Sequence, residues 1–475
     1  MIDSELSIFT LPLYQVLVVI TSGAGALHAL LTKRDSKSAL SWVAFCIVLP
    51  IFGPIIYLIF GINRTRTAAK ENYNTALMPD SAKTFSNPAG NALRPYSLIG
   101  ETVIGQGLHS CDDIQLLENG EENFQAMLTD IASATTNIYL STYIFNGDVT
   151  GRKFLSALVA AKSRNVDVRV LIDGLGAIIY PPKLIKELRQ SDIKFELFNP
   201  ITMFPPSLHL NMRNHRKILI IDGNCAYTGG QNISDHHNVE AKGNPKIARD
   251  LHFRLTGKIV DDLERAFLRD WVHCCGEDSL ATFEPKNINR SESKIWTRLI
   301  LDGPNENLDK LNEVLGGVFS LASKRIWIMT PYFLPFPELV GALQAAILRG
   351  VDVKILLPEV TNIHLAHFAG HHKLPHLLAK NIPILLQPAP FIHTKAILVD
   401  DSYSLIGSAN LDPRSLRLNF ELGVEIFSTA FCDQLSAYFA RHIAQATLVN
   451  QESLGQKSIL IRVRNALAWL FSPYL

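Results

Sequence analysis

Two short stretches carry the residue types from which phosphate chemistry can be built. The first is His215-Arg216-Lys217, then four residues, then Asp222; the second is His393-Thr394-Lys395, then four residues, then Asp400. Each continues alike, with Gly229-Gly230-Gln231-Asn232 after the first and Gly407-Ser408-Ala409-Asn410 after the second. The spacing from histidine to asparagine is the same in both, so this is one unit used twice. An imidazole beside an ammonium suits an anion, and a phosphate most of all. A lone H-x-K-x4-D is a surface His and Lys at a strand end as readily as anything else. Two copies with matched downstream Gly and Asn are much harder to obtain by accident.

The elements around these residues must hold them. Positions 218–221 (Ile-Leu-Ile-Ile) and 396–399 (Ala-Ile-Leu-Val) are short branched apolar runs bounded by polar and Gly signals, and read as buried strands. Positions two apart share a strand face, so each His and its Lys project the same way at the strand's entrance. The repeat extends outward. Ile114-Gln115-Leu116-Leu117 with Asn119-Gly120 matches Leu299-Ile300-Leu301 with Asp302-Gly303. The run 138–143 matches 326–332, and 166–171 matches 351–356. Helical patterns separate these strands, and each half closes with an amphipathic helix near 260–273 or 432–446. The expected fold class is α/β: two duplicated halves, each with a mostly buried sheet, packed about a pseudo-two-fold so that both His-Lys pairs meet in one cleft.

Length and composition bound the rest. With 475 residues there is room for two or three domains, and a formal net charge of +1 is no argument for wholesale nucleic-acid binding. The six cysteines show no CxxC pair or zinc spacing, which points to a chain without structural disulfides. Apolar residues concentrate at the N-terminus, in runs over 6–31 and 39–62, each long enough for a bilayer. The expectation is a transmembrane hairpin over 1–66, with Pro50, Gly53 and Pro54 kinking its second arm or making it re-entrant. Lys33, Arg34 and Lys37 between the arms compete with Arg64, Arg66 and Lys70 after them, so charge does not orient the hairpin. A linker is expected over 67–110, a first half over 111–290 and a second over 291–475. The last run, 458–475, reads as a basic helix with a large apolar surface, lying on an anionic membrane or packing on its own domain.

The doubled motif with its trailing G-[GS]-x-N resembles the phospholipase D superfamily. The two N-terminal apolar runs, Ser41-Trp42 through Gly61, and Gly407 to Ser415 ending in Asn419-Phe420-Glu421 narrow the resemblance to the bacterial cardiolipin synthase family. It covers nearly the whole chain. It implies transfer of a phosphatidyl group between two phosphatidylglycerol molecules, giving cardiolipin and glycerol, in a multi-pass protein of the bacterial inner membrane with anionic lipid as partner. It implies no metal, nucleotide or other cofactor, and the sequence has no P-loop, dinucleotide fingerprint or EF-hand loop. Two departures stand out: His236-His237 where the second copy has Pro413-Arg414, and His364, His367, His371 and His372, a metal site or an exposed His-rich face.

A mechanism follows as an expectation. One neutral imidazole attacks phosphorus; the other, protonated, serves the leaving glycerol and then the incoming hydroxyl. By resemblance His215 is the nucleophile and His393 the acid. Lys217 and Lys395 neutralise the phosphate oxygens, with Asn232, Asn410, Gly230 and Ser408 alongside them. Asp250 and Glu421, late in each half, are by resemblance the carboxylates behind the imidazoles. Asp222 and Asp400 complete the motifs, and their place at strand ends gives them a mainly structural task. The rival readings are a hydrolytic phospholipase D, another phosphodiesterase or nuclease of the superfamily, and an inactive scaffold that binds anionic lipid.

Overall fold

A computed structural model describes residues 3–33, 36–61, 90–179, 183–201, 212–241, 247–276, 295–304, 307–452 and 458–472. Arg34, residues 62–89 with Arg64, Arg66 and Lys70, and the expected boundary between halves at 290 lie outside them. The chain divides into two compact units, residues 1–72 and 73–475.

In the first unit a helix over Asp3–Thr32 contains a stretch, Tyr14–Thr32, long and apolar enough to cross a membrane. It is the only such helix among the described residues. The second apolar run differs from the expected full span. Its helix, Ser36–Val48, has 13 residues, and the chain then turns through Pro50 into Phe52–Ile56 and a π turn at Tyr57–Gly61. Proline cannot donate the helical hydrogen bond, which breaks the run. Gly53 completes the turn, since a Cβ there would lie 2.3 Å from the Phe45 carbonyl oxygen. Two crossings are therefore not supported. The arms pack through Ala29, Cys46 and Tyr57, and the Tyr57 hydroxyl lies 2.8 Å from His28 Nδ1.

Among its described residues the second unit has 17 strands, 15 of them in one sheet and two in a separate ribbon. The strands are β1 (His109–Glu118), β2 (Asn137–Thr142), β3 (Asp167–Asp173), β4 (Lys194–Phe198), β5 (Ile218–Ile221), β6 (Cys225–Gly229), β7 (Ala248–Arg249), β8 (Leu251–Gly257), β9 (Ile295–Asp302), β10 (Arg325–Met329), β11 (Asp352–Pro358), β12 (Ile384–Gln387), β13 (Phe391–Ile392), β14 (Ala396–Val399), β15 (Tyr403–Gly407), β16 (Glu421–Phe427) and β17 (Thr447–Leu448). From β1 outward the order is β8, β6, β5, β2, β3, β4; from β9 outward it is β16, β15, β14, β10, β11, β12, then β17. Each half thus repeats one strand order, and the two join where β1 and β9 pair antiparallel at the centre.

The motif strands are apolar throughout because both faces are covered. In β5, Ile218 and Ile220 join one core while Leu219 and Ile221 join another. In β14, Ala396 and Leu398 join the core of the first pair, and Ile397 and Val399 a third. The shared core also takes Phe267 and Trp271 from the helix Ile259–Cys275, and Leu435 and Phe439 from Thr429–Ile443, so the halves are packed together over one face.

Residues 94–104, expected within a linker, instead form a helix packed on the sheet. The buried Arg298 guanidinium donates to the Ser97 carbonyl at 2.9 Å, and Tyr96 stacks on Tyr403.

Candidate active site

β7 and β13 form a small parallel ribbon outside the main sheet, aligning Ile392 with Arg249. This ribbon ties the start of the second motif to the first half: the His393 N–H donates to the Arg249 carbonyl at 2.7 Å. The mirror contact ties the first motif to the second half, where the His215 N–H donates to the Phe420 carbonyl at 2.9 Å. Arg249 and Phe420 immediately precede Asp250 and Glu421. Each histidine is thereby delivered to a carboxylate of the opposite half. His393 Nδ1 lies 2.8 Å from Asp250 Oδ2, and His215 Nδ1 lies 3.3 Å from Glu421 Oε1. Both carboxylates are fully buried, while the rings keep 18% and 22% of their side-chain surface exposed. A carboxylate can only accept, so it holds the proton on Nδ1 and leaves Nε2 as the reactive nitrogen.

Each lysine folds back on its own motif. Lys217 Nζ donates to the His215 carbonyl at 2.7 Å, and Lys395 Nζ donates to the His393 carbonyl. Lys395 Nζ also lies 3.0 Å from both ring nitrogens of His393. The electrostatics shows one cluster, not two. Burial lowers Lys217 to about 8, against the pull of Glu421 and Asp250 from both halves. Lys395 falls to about 7 by burial, held up by Asp250 and pushed further down by Lys217. Burial lowers both histidines to about 4, with Glu421 opposing this at His215 and Lys395 adding to it at His393. Burial alone would neutralise Asp250, but Lys395 and His393 outweigh it and hold the carboxyl near 2. Burial likewise opposes the Glu421 charge, and His215 and Lys217 more than offset it. At neutral pH the site pairs neutral rings with ionised carboxylates and weakened ammonium groups.

The supporting residues differ between the copies. Ser408 Oγ donates to Glu421 Oε2 at 2.5 Å, and Asn419 Nδ2 to Oε1 at 3.1 Å. At the matching Gly230 a Cβ would lie 2.5 Å from both Asp250 oxygens, so only glycine leaves room for that carboxylate. Asn232 Oδ1 accepts from the Ile144 N–H at 3.3 Å. Asn410 is buried, and its Oδ1 has no hydrogen-bond partner among the described residues.

Asp222 and Asp400 sit elsewhere, although they belong to the motif. Each lies at the far end of its strand, a run of five residues or roughly 17 Å from its lysine. Asp222 accepts from the N–H groups of Thr135, Thr136 and Asn137, and Asp400 from those of Ser323, Lys324 and Arg325. These are anchors for the starts of β2 and β10, not groups that face substrate.

Several neighbours carry no role in the sequence reading. The Tyr143 ring, just past β2, lies 4.3 Å from the His215 ring. His237 Nε2 accepts from the Asn232 N–H at 3.2 Å, and its ring stands 6.2 Å from that of His393. His252 is buried with neither ring nitrogen partnered among the described residues, and burial lowers it to about 3. Arg216 crosses between halves, its Nε donating to the Glu421 carbonyl at 3.1 Å. Spacing alone gave the central residue of the motif no such task. Of the His-rich stretch, the His367 and His371 rings lie tilted with centres 4.1 Å apart, and no group of three or more His, Cys, Asp or Glu side chains placed to hold a metal ion is present among the described residues.

A family model described as cardiolipin synthase, PLD-like domain, matches residues 127–271 and 317–443, one match per half. The chain belongs to the cardiolipin synthase family. A second model, phospholipase D-nuclease N-terminal, matches residues 23–61. The major cardiolipin synthase of Bacillus subtilis is 30% identical over 93% of this chain and 95% of its own. A cardiolipin synthase of Clostridium perfringens is 31% identical over the same shares. Among solved structures, a phosphatidylserine synthase of Haemophilus influenzae matches 80% of this chain and all of its own with a TM-score of 0.63. At 17% identity that likeness speaks for the fold.

Proposed function

We propose that this member of the cardiolipin synthase family is a phosphatidyltransferase that joins two phosphatidylglycerol molecules through a phosphohistidine. The observation that carries the reading is the crossed pairing, His215 with Glu421 and His393 with Asp250. It makes the catalytic group incomplete in either half alone, and it supports a pseudo-two-fold arrangement of the halves about a single cleft.

In the first step the His215 Nε2 lone pair attacks phosphorus, and the bond to the departing glycerol breaks. His393 gives that oxygen its proton, so glycerol leaves as a neutral alcohol. In the second step His393 takes the proton of the incoming glycerol hydroxyl. That oxygen attacks phosphorus, the P–N bond breaks and His215 is restored. Lys217 and Lys395 offset the charge on the phosphate oxygens, with Asn232 and Asn410 as donors beside them. Asp250 and Glu421 steady the imidazolium that forms in each half.

The resting charges suit attack by a neutral ring. A ring titrating near 4 is neutral at pH 7 and free to attack. The acid is supplied when substrate arrives: the phosphodiester's negative charge favours the protonated forms of Lys395 and His393, which share close contact. The helix over Tyr14–Thr32 fits a membrane anchor, with the broken second run as a re-entrant arm. We read the chain as an anchor, a connecting segment and two phospholipase D-like halves in a bacterial inner membrane. There lipid alcohols outcompete water as acceptors through their high local concentration.

The test supplies labelled phosphatidylglycerol to the full-length protein in lipid and identifies every product. Cardiolipin with equimolar glycerol is expected, together with an acid-labile phosphorylated histidine. Both His215→Ala and His393→Ala abolish product. Phosphatidic acid as the main product, or near-normal turnover by either variant, overturns the reading.

A further inference from the structure

The C-terminal helix, Ile459–Leu470, lies against the helix His364–Leu378 of the second half. Its inner side is held by Ala468, packed with Ala369 and Leu334. Two cation–π contacts clasp it: Arg464 sits 3.7 Å from the Phe368 ring centre and Lys373 4.5 Å from that of Trp469. The outer side is apolar and open. Leu460 is 77% exposed and Leu467 55%, with Val463, Leu470 and Phe471 likewise uncovered.

Charge says what could cover this face. Neither helix contains a single Asp or Glu, while Arg462, Arg464 and Lys373 stand among or beside the apolar side chains. An apolar face on helices that carry cations and no carboxylate matches the boundary between the acyl chains and anionic headgroups of a bilayer. The location agrees. Leu334, under the two helices, donates its N–H to the Leu411 carbonyl at 2.8 Å, and Leu411 follows Asn410 of the candidate site. The corresponding segment of the first half, the short helix Gly176–Ile179 after β3, also exposes apolar residues, Ile178 and Ile179. It borders the site too, since Gly176 packs against the backbone of Tyr143, whose ring faces His215.

We infer that the exposed face of the C-terminal helix is a second membrane-contact surface, which seats the catalytic unit on anionic phospholipid beside the cleft. This rests on a lipid substrate, but its physical part is separable from turnover. Leucines at the interface add affinity through buried apolar area, and Arg462 adds it through the headgroup charge.

Two measurements test it on the full-length protein. The first is hydrogen exchange of the His393→Ala protein in nanodiscs, with no turnover to complicate it. Exchange over 459–471 is expected to slow at least fivefold when phosphatidylcholine is replaced by a phosphatidylglycerol mixture, and Arg462→Glu with Leu460→Ser and Leu467→Ser removes that protection. The second compares the same triple substitution in the otherwise wild-type chain on vesicle phosphatidylglycerol and on a short-chain, monomeric analogue. A loss of at least fivefold on vesicles with less than twofold on the monomeric substrate supports the surface. Unchanged exchange in both lipids, equal loss on both substrates, or a change of oligomeric mass in place of a change in lipid dependence overturns it. Protection in the His393→Ala protein, together with no cardiolipin from the wild-type chain, leaves this surface standing and defeats the proposed function alone.

Discussion

The crossed carboxylates make a prediction that a side-by-side arrangement does not. Asp250 lies in the first half but stands behind His393 of the second. Its carboxyl titrates near 2, compared with an ordinary 3.8, despite complete burial. A shift of that size is about 2 kcal/mol of attraction to Lys395 and His393. By linkage the attraction contributes stability above the ordinary carboxylate range and is lost as pH falls toward 2. The share of it between Asp250 and His393 favours a protonated His393. Asp250→Asn removes it, lowering His393, the proposed acid, further below its resting value near 4. The charge effect alone costs at most roughly 30-fold in rate, since Lys395 is the largest single source of the attraction. Loss of the fixed tautomer takes the total toward roughly 10³–10⁴, the scale seen when an imidazole loses its carboxylate.

The leaving group tells which histidine is affected. With phosphatidyl-p-nitrophenol the departing oxygen needs no proton, so a defect confined to the acid is largely rescued. Phosphoenzyme formation by Asp250→Asn should recover by roughly 10²–10⁴-fold on this substrate. Glu421→Gln, which weakens the support of His215, the proposed nucleophile, should recover little. Rapid-quench trapping of the phosphohistidine measures both. Rescue of Glu421→Gln but not of Asp250→Asn would refute the assigned order; rescue of neither would refute the crossed support itself.

Two further outcomes follow from the charges and hydrogen bonds. The pH profile of kcat/KM should fall on the acid side near 4, as His215 becomes protonated, and on the alkaline side between about 7 and 8, as the close Lys395–His393 pair loses the proton it shares and Lys217 loses its own. Bound phosphate stabilises the ammonium forms, so the alkaline limb of kcat lies higher than that of kcat/KM; a profile flat through pH 9 counts against the lysines' role. Asp400→Ala frees the N–H groups of Ser323, Lys324 and Arg325 and should lower unfolding stability by about 2–4 kcal/mol. Its turnover per folded molecule should stay within about threefold, as thermal unfolding and activity on the same preparation will show.

Much of the site was legible before any coordinates. A buried strand over 218–221 or 396–399 must start near a surface and end near one, so the spacing of H-x-K-x4-D already places His and Lys at one end and Asp at the other. The matched order of strands follows from a duplicated sequence, because like segments fold alike. Backbone chemistry at Pro50 and Pro54 was a visible reason to doubt a second full span. What spacing could not reveal is the exchange of carboxylates. Asp250 and Glu421 lie dozens of residues from the histidines of their own halves, and no local rule says which imidazole each will meet. That was decided by β7 pairing with β13, by the matching contact of Asn214 with Phe420, and by β1 meeting β9 at the centre of one sheet. The residues and their chemistry are thus properties of the sequence. Their partnership belongs to the tertiary structure, because hydrogen bonds between distant segments, not position along the chain, set which charges are buried together.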